Sequence, residues 1–287
     1  PNETYRFSVS DMHEIYVEES GNPSGIPVVI MHGGPGLGSS RYLRRFFDSE
    51  RFRIIMIDQR GAGKSQPLAV TSDNNTDLLV GDVEFVRRRL EVDKWLVFGY
   101  DWGATLAMLY AVRHSKSVVG LLLQGIMLGD QQAVDWLFDD GCNRVFPEGW
   151  KAFTSLLGDE EQSNVLHAYS ERLNNDNELI QIQAAKAWAY WIARCSTLHP
   201  NQTVVDHYLN PHVAIALARL QCYFFSNGGF GAKTEIMKGL KHLAGIPGVL
   251  VHGRYDLISP LSAALNLQSC WFGSEVHIIR DAGHSIV

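Results

Sequence analysis

The sequence predicts an α/β fold: a mostly parallel sheet whose chain is interrupted by a block of helices. Three observations predict it. Short, continuous apolar runs recur, each bounded by a glycine or a charge, as strands buried on both faces of a parallel sheet require. Segments with an apolar period near 3.6 lie between these runs. The stretch from 129 to 234 carries helical patterns and no buried-strand run.

Taken in order, Tyr5–Glu19 alternates through Arg6-Phe7-Ser8-Val9-Ser10 and Glu14-Ile15-Tyr16-Val17-Glu18, which reads as a hairpin. Pro27–Met31 is the first core strand and stops at His32-Gly33-Gly34-Pro35-Gly36. Arg53–Ile57 is the second and stops at Asp58-Gln59-Arg60-Gly61. Asn75–Leu90 places Leu78, Leu79, Val83, Val86 and Leu90 on one helical face. Trp95–Phe98 is a strand ending at Gly99, Gly103–His114 a helix rich in Ala, Leu and Met, and Val119–Leu123 a further strand. Gln131–Asp139, Pro147–Leu157, Glu160–Asn174, Glu178–Ile192 and Pro211–Phe225 read as helices. Val249–His252 and Val276–Ile279 then restore the strand signature. The expected organisation is a core of residues 1–128 and 235–287, capped by a helical lid of residues 129–234, with right-handed crossovers in the core.

The chain has 287 residues, 46% hydrophobic and 20% charged, which suits a soluble globular enzyme and excludes a disordered chain. The net charge of −6, with no Lys/Arg run, argues against nucleic acid as a partner. No apolar run reaches the ~18 residues a membrane span needs. The first residues, Pro1–Arg6, lack the charged-then-apolar order of a signal peptide. Cys142, Cys195, Cys222 and Cys270 form no C-x-x-C pair and do not cluster with histidine at metal spacing. Reduced thiols, a cytoplasmic location, no metal, no cofactor and a small-molecule substrate are the expectations. The oligomeric state is not legible.

The chemistry concentrates in a few stretches. Gly99-Tyr100-Asp101-Trp102-Gly103 follows a strand and opens a helix. This is a G-x-nucleophile-x-G elbow with aspartate where serine is usual. Taken alone, Asp101 could equally be the N-cap of a tight turn. His32-Gly33-Gly34-Pro35 follows the first core strand and reads as an oxyanion-hole loop, with Gly34 and Trp102 supplying backbone N–H donors. Asp256 follows the strand at Val249–His252, and His284 follows the strand at Val276–Ile279. Nucleophile, acid, histidine is the chain order of the α/β-hydrolase triad, so Asp101, Asp256 and His284 are the expected catalytic residues.

Those stretches, with Asp58-Gln59-Arg60-Gly61-Ala62-Gly63-Lys64-Ser65, Arg144-Val145-Phe146-Pro147, Ala185-Lys186-Ala187-Trp188 and Gly245–Asp256, resemble the proline iminopeptidase family of α/β hydrolases. The resemblance runs over almost the whole chain, lid included. It implies an α/β-hydrolase sheet with a helical lid, and an active site between the two. Asp58 and Arg60 read as braces for the loop beneath the site.

The family pattern has serine at the elbow, where this chain has Asp101. Two family glutamates that hold a substrate's amino terminus correspond to Ile192 and Gln221. Loss of both removes charge-assisted bonds of about 1.5–3 kcal/mol each. An aspartate attacking an amide would form an anhydride, whereas attack at a saturated carbon would give an alkyl ester. Gly99–Gly103 and the His32–Pro35 loop also resemble epoxide hydrolases and haloalkane dehalogenases, in which an elbow aspartate does this. The expectation from these changes is an epoxide-hydrolase-like opening of a small apolar electrophile, ranked above dehalogenation and not a peptidase. A non-hydrolytic acid–base cyclase or lyase of a biosynthetic intermediate is an alternative. An inactive or Ser→Asp variant of a proline iminopeptidase is a further one. Tyr100, Tyr190, Ile192, Gln221 and Tyr223 are the candidate substrate-binding residues.

Overall fold

The alternation in Tyr5–Glu19 becomes two antiparallel strands, β1 (Glu3–Ser8) and β2 (Glu14–Gly21), with Tyr5 opposite Val17 and Phe7 opposite Ile15. The continuous apolar runs become β3 (Ile26–Met31), β4 (Phe52–Asp58), β5 (Trp95–Tyr100), β6 (Val118–Gln124), β7 (Gly248–Gly253) and β8 (Ser274–Ile279). The computed structural model describes residues 1–285. Ile286 and Val287, the end of the expected core segment, lie outside the described residues.

The eight strands form one sheet in the order β1-β2-β4-β3-β5-β6-β7-β8. From β4 to β8 every pairing is parallel, with Val29 opposite both Ile55 and Val97, and Leu123 opposite Leu250. These central side chains are fully buried because helices cover both faces, which is why the strands lack alternation. The carboxyl ends of β3, β5, β6, β7 and β8 therefore lie along one edge of the sheet. The loops that follow them carry Gly34, Asp101, Gly125, Asp256 and His284.

Two helices lie between the first six strands, α1 (Thr76–Arg89) and α2 (Trp102–Arg113). Asn75 caps α1 by accepting from the Leu78 N–H at 3.0 Å. Between β6 and β7 the chain forms α3 (Gln131–Phe138), α4 (Cys142–Val145), α5 (Pro147–Thr154), α6 (Val165–Leu173), α7 (Glu178–Ser196), α8 (Gln202–Tyr208), α9 (Pro211–Ser226) and α10 (Ala232–Gly239). Helix α11 (Ser262–Cys270) separates β7 from β8. The helices from α3 to α9 share an apolar cluster built on Phe138, Phe153, Tyr169, Trp188 and Trp191. A separate cluster lies under the sheet around α2. The sequence patterns mark α1, α2, α3, α5, α6, α7 and α9 but not α4, α8, α10 or α11. No helix among the described residues is long and apolar enough to cross a membrane.

The loop after β4 is braced from two sides. Asp58 accepts from the Ser39 N–H at 2.7 Å and the Lys64 N–H at 2.8 Å. Arg60 forms a two-point pair with Asp82 of α1, both bonds at 2.7 Å, and also donates to the Asp73 carbonyl at 2.7 Å. Both partners are buried. Removing one member of such a pair strands the other charge without solvent, a loss of roughly 3–5 kcal/mol. Arg60→Met is expected to lower unfolding stability by about that amount in urea titrations. A loss within the range of a surface substitution, about 0.5 kcal/mol, would remove the bracing role.

Candidate active site

Strand β5 ends at Tyr100 and α2 begins at Trp102, so the whole reversal is made at Asp101. Its backbone sits at φ 54° and ψ −127°, a conformation that costs a residue with a Cβ about 1–3 kcal/mol. The neighbouring glycines make the turn possible. A Cβ on Gly99 would run into the Gly103 carbonyl, and one on Gly103 into the Met31 and His32 carbonyl oxygens. Both positions require glycine because backbone passes backbone there.

Asp101 occupies the N-cap position of α2, but its side chain makes no capping bond. Its Oδ2 instead accepts from the Gly34 N–H at 2.6 Å. Its Oδ1 is buried without a hydrogen-bond donor among the described residues and faces His284 Nε2 at 3.5 Å. The carboxylate therefore spans the oxyanion loop and the histidine. A Cβ on Gly33 would lie 2.6 Å from Asp101 Oδ2, so a side chain there would displace the carboxylate.

His284 Nδ1 meets Asp256 Oδ2 at 2.8 Å. Asp256 Oδ1 accepts from the Ile258 and Ser259 N–H groups at 2.9 and 2.8 Å, which leaves Oδ2 for the imidazole. Burial alone would disfavour the imidazolium. The carboxylates of Asp256 and Asp101, one at each ring nitrogen, outweigh burial and raise the His284 pKa from 6.5 to about 10. His252 lies 3.3 Å from Asp256 Oδ2 and donates from Nε2 to the Ser259 carbonyl at 2.7 Å. Burial lowers its pKa, so a neutral ring backs the acid.

The oxyanion loop is held by His32. The Gln59 N–H donates to His32 Nε2 at 3.0 Å, which makes that nitrogen the acceptor. Nδ1 then carries the proton and donates to the Gly33 carbonyl at 2.9 Å. Burial also lowers the pKa of His32, consistent with a neutral ring. The Trp102 N–H, first of α2, has no intrahelical acceptor and points from the same turn. The Trp102 indole packs edge-on to Phe224 beneath the helix.

A cavity of about 510 Å³ opens above Asp101 and His284. Leu37, Leu43 and Val204 give it an apolar wall, and Tyr100, Asn201 and Tyr208 supply polar groups. Burial and the nearby Asp101 carboxylate push the Tyr208 hydroxyl upward, so it is a neutral donor.

The structure thus brings Asp101, His284, Asp256 and Gly34 together, with Trp102 contributing through its backbone. Among the other candidates, Tyr100 lines the cavity. Tyr190 is solvent-exposed, Ile192 is buried in the helical cluster, and Tyr223 packs against Phe224 and Phe230. Gln221 is fully buried, with both ends of its amide bonded. None of these four lines the cavity. Sequence reasoning counted Tyr208 among the tyrosines of the insert without singling it out and missed Asn201; the short α8 and its N-cap bring both to the site. Among the described residues no group of three His, Cys, Asp or Glu is placed to hold a metal.

Comparison with known proteins places this geometry. A model of the alpha/beta hydrolase fold family matches residues 26–287. The proline iminopeptidase of Xylella fastidiosa (strain Temecula1 / ATCC 700964) is 40% identical over 278 residues, covering 96% of this chain and 89% of that protein. The proline iminopeptidase of Arabidopsis thaliana is 40% identical over 287 residues, covering 99% of this chain and 76% of that protein. Among solved structures, an esterase from Exiguobacterium antarcticum superposes with a TM-score of 0.69 at 19% identity, covering 98% of this chain and 92% of that one. That last likeness concerns the fold alone.

These relatives correct the expectation of an epoxide-hydrolase-like enzyme that is not a peptidase. That expectation set three changed side chains, Asp101, Ile192 and Gln221, above a resemblance running through core and helices alike. Identity near 40% over 96% of the chain supports a peptidase function instead. The likeness to epoxide hydrolases rested on one pentapeptide and one loop, a turn that any member of the fold needs.

The two-carboxylate environment of His284 has a measurable consequence. Its pKa is raised above 6.5, so its contribution to stability is fully present below pH 6.5 and is lost as pH rises through about 10. NMR titration of the His284 ring is expected to show the imidazolium persisting through neutral pH and titrating near 10. Asp256→Asn should move that titration downward. A ring that titrates at 6.5 in the unaltered protein would contradict the carboxylate sandwich.

Proposed function

The chain belongs to the proline iminopeptidase family of α/β hydrolases, and we propose that it is a peptidase releasing the N-terminal residue of small peptides. The observation that carries the reading is the 40% identity to proline iminopeptidases over 96% of the chain. The match spans the helices over the site as well as the sheet, and the stretch of those helices from Asn201 to Tyr208 lines one side of the substrate cavity.

The proposed roles follow from the geometry. Asp101 Oδ1, which forms no hydrogen bond among the described residues and lies 3.5 Å from His284 Nε2, is the base that takes a proton from the attacking water. The water oxygen bonds to the amide carbon, and the carbonyl electron pair moves to oxygen. Gly34 and Trp102 N–H groups stabilise that oxyanion. Protonation of Asp101 weakens its hold on the Gly34 N–H, freeing this donor as the oxyanion forms. His284, charged between its two carboxylates, gives its Nε2 proton to the leaving nitrogen as the C–N bond breaks. Asp101 then passes its proton to His284, which restores both groups. Asp256 keeps the ring aligned throughout. Water-mediated hydrolysis of this kind avoids an acid anhydride on Asp101. The apolar wall of Leu37, Leu43 and Val204 suits an N-terminal residue without charge on its side chain.

Turnover of proline p-nitroanilide and of a panel of other N-terminal arylamides by the purified protein tests the reading. The expected result is release of the arylamine, reduced at least about 100-fold in Asp101→Asn and in His284→Ala. The rate should hold through neutral pH and fall as pH rises through about 10, where His284 loses its proton. Absence of turnover across the whole panel, with the protein folded, would sink the proposal.

A further inference from the structure

We propose that Gln221 is a positioning residue for Asp101, acting through the oxyanion loop. The kinetic part of this proposal rests on the peptidase reading; the structural part does not. A continuous chain of hydrogen bonds carries it. The Trp188 indole donates from Nε1 to Gln221 Oε1 at 2.7 Å. Gln221 Nε2 donates to the Gly34 carbonyl at 2.9 Å. The Gly34 N–H donates to Asp101 Oδ2 at 2.6 Å. Every link is buried, and Gln221 has no exposed surface.

The chemistry fixes the amide in one orientation. An indole N–H can only donate, and a backbone carbonyl can only accept. Gln221 must therefore present its oxygen to Trp188 and its nitrogen to Gly34. A carboxylate at this position would satisfy Trp188 but confront the Gly34 carbonyl with a second acceptor. An apolar side chain would leave both partners unbonded in a dry interior, where an unpaired polar group is costly.

The anchor at the far end is rigid. Trp188 is fully buried against Phe138, with ring centroids 4.7 Å apart, and against Tyr169 at 5.4 Å. The near end is the loop that must stay in register with Asp101. Helix α9 touches the same loop a second time, since a Cβ on Gly36 would lie 2.5 Å from the Ala216 carbonyl oxygen. Gln221 thus ties the helices over the site to Gly34, whose N–H holds the Asp101 carboxylate. Asp101 Oδ2 is fixed by this bond, and Oδ1 is thereby kept facing His284. A side chain that merely filled space would need neither amide end in these orientations.

Three variants of the full chain test the proposal: Gln221→Glu, Gln221→Met and Trp188→Phe. The first readout is hydrogen exchange at the Gly34 amide, and the second is the His284 ring titration, neither of which needs a substrate. Gln221→Met is expected to speed Gly34 exchange about tenfold and to lower the His284 titration point, because Asp101 is no longer held against the ring. Gln221→Glu should do the same at neutral pH. Its protection should return at acid pH, where the protonated carboxyl regains a donor for the Gly34 carbonyl. Trp188→Phe, which frees one end of the amide, should give a smaller acceleration. With a turned-over arylamide, kcat should fall about tenfold in Gln221→Met with KM little changed. Gly34 exchange and His284 titration unchanged in both Gln221 variants would overturn the proposal. Faster exchange with an unmoved His284 titration would also overturn it, by showing a strap that does not orient Asp101. Lack of peptidase turnover in the unaltered protein would defeat the functional reading, while the exchange and titration results would still decide the role of Gln221.

Discussion

The site depends on a turn in which backbone passes backbone at both ends. Gly99 and Gly103 each sit where a Cβ would strike a carbonyl oxygen, and between them Asp101 is held at positive φ. A turn this tight does two things at once. It turns the chain at Asp101 alone, and it starts α2 at the next residue, so that the first N–H groups of the helix, which have no intrahelical acceptor, follow directly on the carboxylate. The strain at Asp101 persists because α2 packs into the main core through Ala104, Leu106, Ala107 and Leu109. Burial over a whole helix stabilises one unfavourable residue.

The electrostatics follow from where the strands end. Parallel pairing of β5, β6, β7 and β8 places the loops bearing Asp101, Gly125, Asp256 and His284 side by side. His284 then has a carboxylate at each ring nitrogen. Burial opposes its charge and two partners favour it, and the partners win. A serine at the elbow would leave the ring with one carboxylate and a neutral hydroxyl. In the proposed mechanism the elbow aspartate accepts a proton and His284 gives one, so the two steps that a single histidine performs in turn are divided between neighbours.

Much of this was legible in the sequence. Two-sided burial makes parallel strands read as unbroken apolar runs, and the runs at β3 and β5 each led directly into a stretch that the site uses, His32–Gly36 and Gly99–Gly103. Long helices with a capped start, such as α1 behind Asn75, were equally clear. Helix α8 was not. It has seven residues, and its Thr203, Val204 and Val205 are β-branched, so neither length nor propensity marks it. Its end supplies Tyr208 to the cavity, which no spacing could foretell. The place of Gln221 was hidden for a different reason. Its partners are an indole in α7 and a carbonyl in the loop after β3, and contacts so distant in the chain leave no local pattern.

The reading that failed was one about reaction class, and the reason lies in how sequence encodes the two levels. A fold is specified by many buried positions at once, so identity near 40% over 96% of the chain reflects many packing constraints shared with proline iminopeptidases. A change at three positions, Asp101, Ile192 and Gln221, leaves most of those constraints in place. The same three changes do alter local chemistry, but the structure shows that one of them, Gln221, is satisfied entirely by protein atoms, and a second, Ile192, lies within the helical cluster. Neither reports directly on what the cavity accepts. Only Asp101 among the three faces the reacting space, and a carboxylate there is compatible with activating water as well as with attacking carbon. The chain as a whole therefore weighs more than its elbow, and the elbow is better read as a variation in how the proton is moved than as a change in the bond that is broken.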